Sequence, residues 1–472
     1  MSAQSMLDKV ADARAKALAS TPARQRLATL FDADSFVELD GFVTVDGAPS
    51  GVVCGYGAVG GSPVYAFAQD STENGGAVGE AHAAKIGKMY DLALKTGAPV
   101  VGIYDSRGAR ISEGAAALNA YGQLILKANN LSGVVPQISL VLGTCAGSSA
   151  VMACGADFVI MSEKAEFFVA PPAKGDTGAG TAAAAAKSGV AHIVRADDRE
   201  AIEAARRIVS MMPINNLASP PVFDYDETAG AVQALQAACE NIDDACKKEI
   251  AANLCDADSL IELLPDFGKK AYAAMATIGG FPVGVISTGG EKLCANCCNK
   301  IARLVSVWDA FQLPVITIVN TTGIESSGSE DTGLCFAVRD IAKLTHVYAE
   351  ATTAKVAVIT GKAYGSAYVA LASKAAASDY TIAWPSAVIS ALAPETAVAF
   401  SYGDRITADK SREQVVAEYI ETEASPFEAA AGGYIDDVID PAVTRPAIIS
   451  ALDLLSAKRV QKNPKKHGNI PF

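Results

Sequence analysis

Long apolar runs are missing from this chain of 472 residues. No stretch approaches about 18 uninterrupted apolar residues, so nothing reads as a membrane span. Histidine is scarce: His82, His192, His346 and His467 are the only four. None stands beside an evident catalytic partner, and a structural role is the expectation for each. There is no Gly-x-Ser-x-Gly elbow, no P-loop and no dinucleotide fingerprint, so neither ATP chemistry nor hydride transfer is indicated. Basic charge is in deficit. A formal net charge of −13 argues against nucleic acid, because a polyanion needs a basic footprint. The start, Met1-Ser-Ala-Gln-Ser-Met-Leu-Asp, lacks a basic and then apolar leader, which predicts a cytoplasmic protein. The ten cysteines are scattered and mostly in apolar surroundings, as expected of reduced, packed thiols. Cys294-Ala-Asn-Cys297-Cys298 has no second Cys or His pair at finger spacing, so no metal is expected.

What is present is hydrophobic and small. Half the residues are hydrophobic, 7% are aromatic, and 40 are glycine, which suits an α/β chain with a large core. One string is written twice. Phe31-Asp-Ala-Asp-Ser-Phe-Val-Glu-Leu39 returns as Cys255-Asp-Ala-Asp-Ser-Leu-Ile-Glu-Leu263. The correspondence continues in order through Gly60/Gly279, Lys85/Lys300, Pro99/Pro314, Gly108/Gly323 and Gly143/Gly361, at offsets between 215 and 224. Solenoid repeats run roughly 20–50 residues, so this is a duplicated domain. The expected division is 1–237 and 238–472, in the Pro- and Asn-rich stretch between Pro213 and Gln236. Two related clefts suit a reaction with two different substrates.

Apolar strands alternate with helical spacing in both copies, which predicts an α/β fold with sheets covered on both faces. Residues 1–30 read as helical. Strands are expected over 63–68, 98–104, 137–142, 157–161, 315–319, 355–360 and 379–383. Helices are expected over 115–127, 147–154, 339–351 and 366–374, and on the face of Ile86, Met89, Tyr90, Ala93 and Leu94, closed by Gly97. The Ala-rich stretch Gly175 to Lys187 reads either as a plain helix or as a loop.

The most telling local pattern is strand, glycine turn, helix. Ile138-Ser-Leu-Val-Leu-Gly-Thr-Cys-Ala-Gly147-Ser-Ser-Ala shows it in the first copy. Val356-Ala-Val-Ile-Thr-Gly-Lys-Ala-Tyr-Gly365-Ser-Ala-Tyr shows it in the second. N–H groups at a helix start carry partial positive charge, and small side chains admit an anionic oxygen. Such donors stabilise an enolate by roughly 3–4 kcal/mol each. Gly and Ala after a strand also simply allow a helix to pack closely, so two readings stay open here; the recurrence of the device in both copies favours function.

Along nearly its whole length the chain resembles the carboxyltransferase (β-type) subunits of biotin-dependent acyl-CoA carboxylases and decarboxylases. The strings that carry the resemblance include Val64-Tyr-Ala-Phe-Ala-Gln-Asp70, Gly79-Glu-Ala-His82 and Asp105-Ser-Arg-Gly-Ala-Arg-Ile-Ser-Glu-Gly114. Others are Gly133-Val-Val-Pro-Gln-Ile138, Cys145-Ala-Gly147, Ser188-Gly-Val-Ala-His192, Lys362-Ala-Tyr-Gly365, Ala383-Trp-Pro385, Gly433-Tyr-Ile-Asp-Asp-Val-Ile-Asp-Pro441 and Pro464-Lys-Lys-His-Gly-Asn-Ile-Pro471. The resemblance implies two tandem crotonase-like domains, the first for acyl-CoA and the second for biotin on a separate carrier protein. It implies a homo-oligomer, commonly a hexamer, working with a biotin carboxylase or a membrane decarboxylase subunit. It places one oxyanion hole at Gly147 and Ser148 and another at Ser366 and Ala367. It adds Gly75, Gly76, Ala77 and Ala146 on the acyl-CoA side, Tyr364 and Gly365 on the biotin side, and Arg24 at the CoA phosphates.

Departures from the resembled pattern mark where specificity lies. The usual Cys-Ala-Gly-Gly-Ala is Cys145-Ala-Gly-Ser-Ser, and Lys-Ala-Tyr-Gly-Gly-Ala is Lys362-Ala-Tyr-Gly-Ser-Ala. Asp-Ser-Gly-Gly becomes Asp105-Ser-Arg107-Gly, and Pro-Gly-Phe-x-Pro-Gly becomes the polar Thr321-Thr-Gly-Ile-Glu-Ser-Ser-Gly. Val369 stands where substrate-discriminating residues, often Asp, are found. A carboxylase, a decarboxylase running the transfer in reverse, a degenerate scaffold and a plain crotonase-like hydratase are the competing functions.

Overall fold

The doubled Asp-Ala-Asp-Ser string closes the same hairpin in each copy. The Asp32 carboxylate accepts from the N–H groups of Gly60 and Gly61 at 3.1 and 2.9 Å. Asp256 accepts from Gly279 and Gly280, both at 2.8 Å. All four glycines have positive φ, between 57° and 80°, as a two-residue hairpin turn twisted to match its strands requires. An arginine from a distant helix completes each clasp, Arg206 on Asp32 at 2.8 Å and Arg445 on Asp256. Ser35 and Ser259 each donate to the carbonyl of their clasping aspartate at 2.8 Å.

The computed structural model describes residues 3–17, 19–176, 178–325 and 335–471. They divide into two compact units, Met1–Ser219 and Pro220–Phe472. The first carries a sheet ordered Val37–Leu39, Val52–Val59, Ser62–Gln69, Val100–Ser106, Gln137–Ala146, Phe158–Ser162, Ile193–Arg195. The second is ordered Ile261–Glu262, Ala271–Ile278, Phe281–Thr288, Val315–Thr321, Lys355–Tyr364, Tyr380–Ala383, Asp437–Val438. In both, an antiparallel hairpin leads into parallel strands. The strands entering from the hairpin are linked by helices, Glu80–Thr96 and Ala115–Leu131 in one unit, Ala295–Ala310 and Cys335–Glu350 in the other. Phe67, Ile86, Met89 and Leu124 sit in the first core and Ile316, Val358 and Trp384 in the second, all essentially inaccessible.

Several elements differ from the sequence reading. The expected helix over 1–30 is two helices, Ala3–Ala17 and Pro22–Leu30. The second starts afresh because the Thr21 hydroxyl caps it and Pro22 fits its first position. Leu94 leaves the buried face and is 45% exposed. The Ala-rich stretch forms a helix only over Ala182–Lys187, capped by Thr181. A division after residue 237 would cut the helix Ala231–Glu240, and residues from Pro220 onward pack with the second unit. There Phe223 N–H bonds Gly280 at 2.9 Å, and Leu235 is buried in the second core. Residues 326–328 of the polar loop beginning at Thr321 lie outside the described residues.

Candidate active site

Both long central strands run on past where their apolar patterns end. Gln137–Ala146 continues through Gly143 because a short strand, Glu166–Phe168, pairs with its last residues. Lys355–Tyr364 does the same against Val388–Ser390. Each strand then breaks at a glycine with positive φ, Gly147 at 62° and Gly365 at 53°. A seven-residue helix follows, Ser148–Cys154 or Gly365–Leu371. The two turns are equivalent in position, although Gly147 precedes its helix and Gly365 is the first residue of its own. A Cβ at Gly147 would meet nothing within 4 Å, so the backbone here faces open space. Gly147 N–H itself donates to Phe168 at 2.9 Å, extending the ladder. The first helical N–H after it belongs to Ser148, where no preceding turn of helix supplies an acceptor.

Three loops meet at the strand ends of the first unit. Arg107 N–H bonds Gly75 at 3.0 Å, and Val78 N–H bonds Gly108 at 2.8 Å. Gly108, with φ 102°, lies against the carbonyl of Ala146. Glycine is needed at residue 76, where a Cβ would fall 2.1 Å from the Asp105 carbonyl. The structure thus brings together Gly75, Gly76, Ala77, Ala146, Gly147 and Ser148. In the second unit Gly290 N–H bonds Asn320 at 2.6 Å, and Thr321 pairs in register with Ala363 beside Tyr364 and Gly365. Ser366 is exposed, Ala367 is buried, and Val369 is 46% exposed on the same short helix.

Arg24 sits elsewhere. Its guanidinium pairs with Glu38 at 2.9 Å and borders a cleft of 440 Å³ with Ala28, Phe31, Asp32 and Phe36. Arg26, two positions on, is the arginine that reaches the strand end. It bonds Asp105 at 2.8 Å, Asp198 at 2.9 Å and the Leu142 carbonyl at 2.9 Å. The Asp105-Ser-Arg107-Gly motif is plain in the sequence, but the contacts of Asp105 and Arg107 are not. Arg107 packs its stem over Gly75, 2.8 Å from where a Cβ would lie. Its signal was the replacement of a glycine by arginine in that motif.

Four buried ionisable groups near the turns are shifted away from neutral pH. Burial pushes the Tyr121 hydroxyl up to about 12, and it lies 2.5 Å from Ser149 Oγ. Burial raises the Cys145 thiol too. Tyr364 is pushed to about 12, by burial first and then by Glu395 and Asp243. His82 is fully buried, and burial drives it down to about 3, so it stays neutral. His192 Nδ1 accepts from Val159 N–H at 3.1 Å. Among the described residues these turns offer backbone donors rather than a poised acid or base.

The two crotonase-like units with their glycine turns fit the carboxyltransferase class that the resemblance implies, and comparison with known proteins shows that class. Residues 17–470 match the carboxyl transferase domain family, and the chain belongs to it. It is 37% identical to the methylmalonyl-CoA decarboxylase subunit alpha of Veillonella parvula, over 95% of this chain and 93% of that one. It is 36% identical to the propionyl-CoA carboxylase beta chain of Roseobacter denitrificans, with 95% and 93% covered. Among solved structures it is similar to transcarboxylase 12S, described as a hexamer assembly with methylmalonyl-coenzyme A and methylmalonic acid bound. That match has a TM-score of 0.93 and 31% identity, covering 100% of this chain and 99% of the other. The chain is a carboxyltransferase of the propionyl-CoA carboxylase and methylmalonyl-CoA decarboxylase kind. No described helix is long and apolar enough to cross a membrane.

Proposed function

We propose that the chain moves a carboxyl group between biotin on a separate carrier protein and the α-carbon of a short acyl-CoA. Propionyl-/methylmalonyl-CoA and acetyl-/malonyl-CoA are the substrate pairs. The observation that carries this reading is the glycine turn with positive φ at the end of the equivalent strand in both units. Two such turns suit two oxygens that gain negative charge, one on the thioester and one on the ureido ring. Biotin supplies the ring nitrogen that gives or takes the carboxyl.

The first unit takes the acyl-CoA. As the α-carbon becomes carbanion-like, charge builds on the thioester oxygen, and a fixed N–H there lowers the barrier. Ser148 is that donor. Gly147 contributes the bare backbone that lets the oxygen approach, since its own N–H is bonded to Phe168. Gly75, Gly76, Ala77 and Ala146 wall the acyl side. Arg24 meets the CoA phosphates, where a phosphate would share it with Glu38. The second unit takes biotin against the first-turn N–H groups of Ser366 and Ala367, beside Tyr364 and Gly365. A biotin carboxyl carrier protein and a homo-hexamer complete the assembly, the latter by analogy with the transcarboxylase hexamer.

Val369 favours a second reading. An apolar residue at a position where aspartate is common fits the decarboxylase branch. There the carboxyl passes from the carboxyacyl-CoA to biotin, beside a membrane decarboxylase subunit. The test for both is carboxyl exchange between methylmalonyl-CoA and free biotin by the purified chain. Exchange is expected. No transfer with any short acyl-CoA pair, despite measurable CoA-ester binding, makes the chain a scaffold.

A further inference from the structure

The second unit holds a thiol pair that carboxyl transfer does not use. Cys294 immediately precedes the 16-residue helix Ala295–Ala310, and Cys297 lies in its first turn. Their Sγ atoms are 3.1 Å apart, against about 2.0 Å in a disulfide. Cys294 is partly exposed and Cys297 is buried. This is the division of labour of a Cys-x-x-Cys couple, an accessible attacking thiol and a sheltered resolving one.

The chemistry of the two sulfurs differs in the direction such a couple needs. The hydrogen bond with the Cys297 sulfur, then the N–H groups of Cys297 and Asn296, bring Cys294 down to about 6 against opposition from burial and Glu325. Cys297 is raised, first by that same bond and then by burial. Lys270, Lys300 and Glu325 are charged groups near the pair. Cys54, Cys145 and Cys255, by contrast, are buried with raised thiols and no neighbouring sulfur at bonding range.

The pair is also wired to the strand ends. Leu293 N–H bonds Gly323 and Glu325 N–H bonds Leu293, both at 2.9 Å. Asn320, at the start of that segment, accepts from Lys362 N–H on the strand that ends at Tyr364, just before Gly365.

We propose that Cys294 and Cys297 are a reversible dithiol–disulfide site, oxidised by a low-molecular-weight disulfide of the glutathione class. The Cys294 thiolate attacks one sulfur of the small disulfide and expels one small thiolate. Cys297 gives up its proton and attacks the Cys294 sulfur, expelling the second. Two cysteines lose two protons and two electrons, and one small disulfide becomes two thiols.

The test is thiol mapping of the full chain after equilibration with oxidised and reduced glutathione at pH 7, in chelator, followed by alkylation and trypsin. Cleavage at Lys292 and Lys300 releases Leu293 to Lys300, whose only cysteines are 294, 297 and 298. The expected product carries one alkylated thiol and has lost two hydrogens elsewhere, with fragmentation placing the bond between 294 and 297. Dithiothreitol restores three alkylated thiols. Cys298→Ser keeps the bond, while Cys294→Ser and Cys297→Ser abolish it. Three free thiols in pure oxidised glutathione overturn the proposal. So do a stable glutathione adduct without the internal bond, a bond joining 297 to 298, or zinc bound stoichiometrically to these thiols before chelator is added.

Discussion

The Asp105 carboxylate lies over Gly143: a Cβ at residue 143 would fall 2.2 Å from Asp105 Oδ1. The second unit repeats the relationship with Asn320 over Gly361, at 2.6 Å from Oδ1. Asp105 and Asn320 each stand where the ladder between two parallel strands slips register. That irregularity coincides with the residue whose side chain lies over the neighbouring strand.

Asp105 is not free to give way, because Arg26 and Ser71 each bond it at 2.8 Å. Gly143→Ala is therefore expected to destabilise the first unit by about 1–3 kcal/mol, as overpacking does. A thermal unfolding scan should show a fall of several degrees, and Gly361→Ala should behave likewise. An unchanged midpoint would mean that the carboxylate can swing aside.

The two hairpin clasps should differ in strength. The Asp256 and Arg445 side chains are 3% and 7% exposed, and those of Asp32 and Arg206 are 31% and 24% exposed. Removing one partner of a buried pair costs about 3–5 kcal/mol, and an exposed pair contributes about 0–1 kcal/mol. Denaturant unfolding should therefore rank Asp256→Ala well below Asp32→Ala. Equal losses would contradict the burial argument.

Asp32 also sets an acid limit. The Gly61 N–H, then Arg206, hold its carboxyl below the ordinary value of 3.8. A carboxyl lowered on folding contributes stability above its unfolded value, and that contribution fades as pH falls through the folded value. Asp32→Asn should thus narrow its deficit against the native protein as pH drops below about 4. A deficit independent of pH between 6 and 3 would assign the clasp to geometry alone.

The duplication was plain in the sequence, because Asp32 and Asp256 recur with their serines. The reason for the string was not, since the glycines it clasps lie 28 and 29 residues from Asp32. The turns at Gly147 and Gly365 were legible from glycine after an apolar strand. The strand length before them was not, because Glu166–Phe168 and Val388–Ser390 pair from later in the chain. Thr21-Pro22 was a readable helix start inside a run that otherwise looks continuous. Arg26 was masked by Arg24: both are arginines on one short helix, and only the fold decides which reaches Asp105. The Cys294 pair was visible as spacing, but its 3.1 Å approach depends on helix geometry at residue 295.

The central claim is that a backbone N–H at residue 148 stabilises the charge formed in carboxyl transfer. Ser148 is the first residue of its helix, a position that tolerates proline while losing only the N–H. The decisive measurement is carboxyl exchange between methylmalonyl-CoA and free biotin by Ser148→Pro and Ser148→Ala, with matched circular dichroism. The account predicts that Ser148→Ala, which keeps the N–H, stays within a few-fold of the native rate, and that Ser148→Pro falls by about 10²–10³-fold. Equal rates for the two folded variants would contradict it.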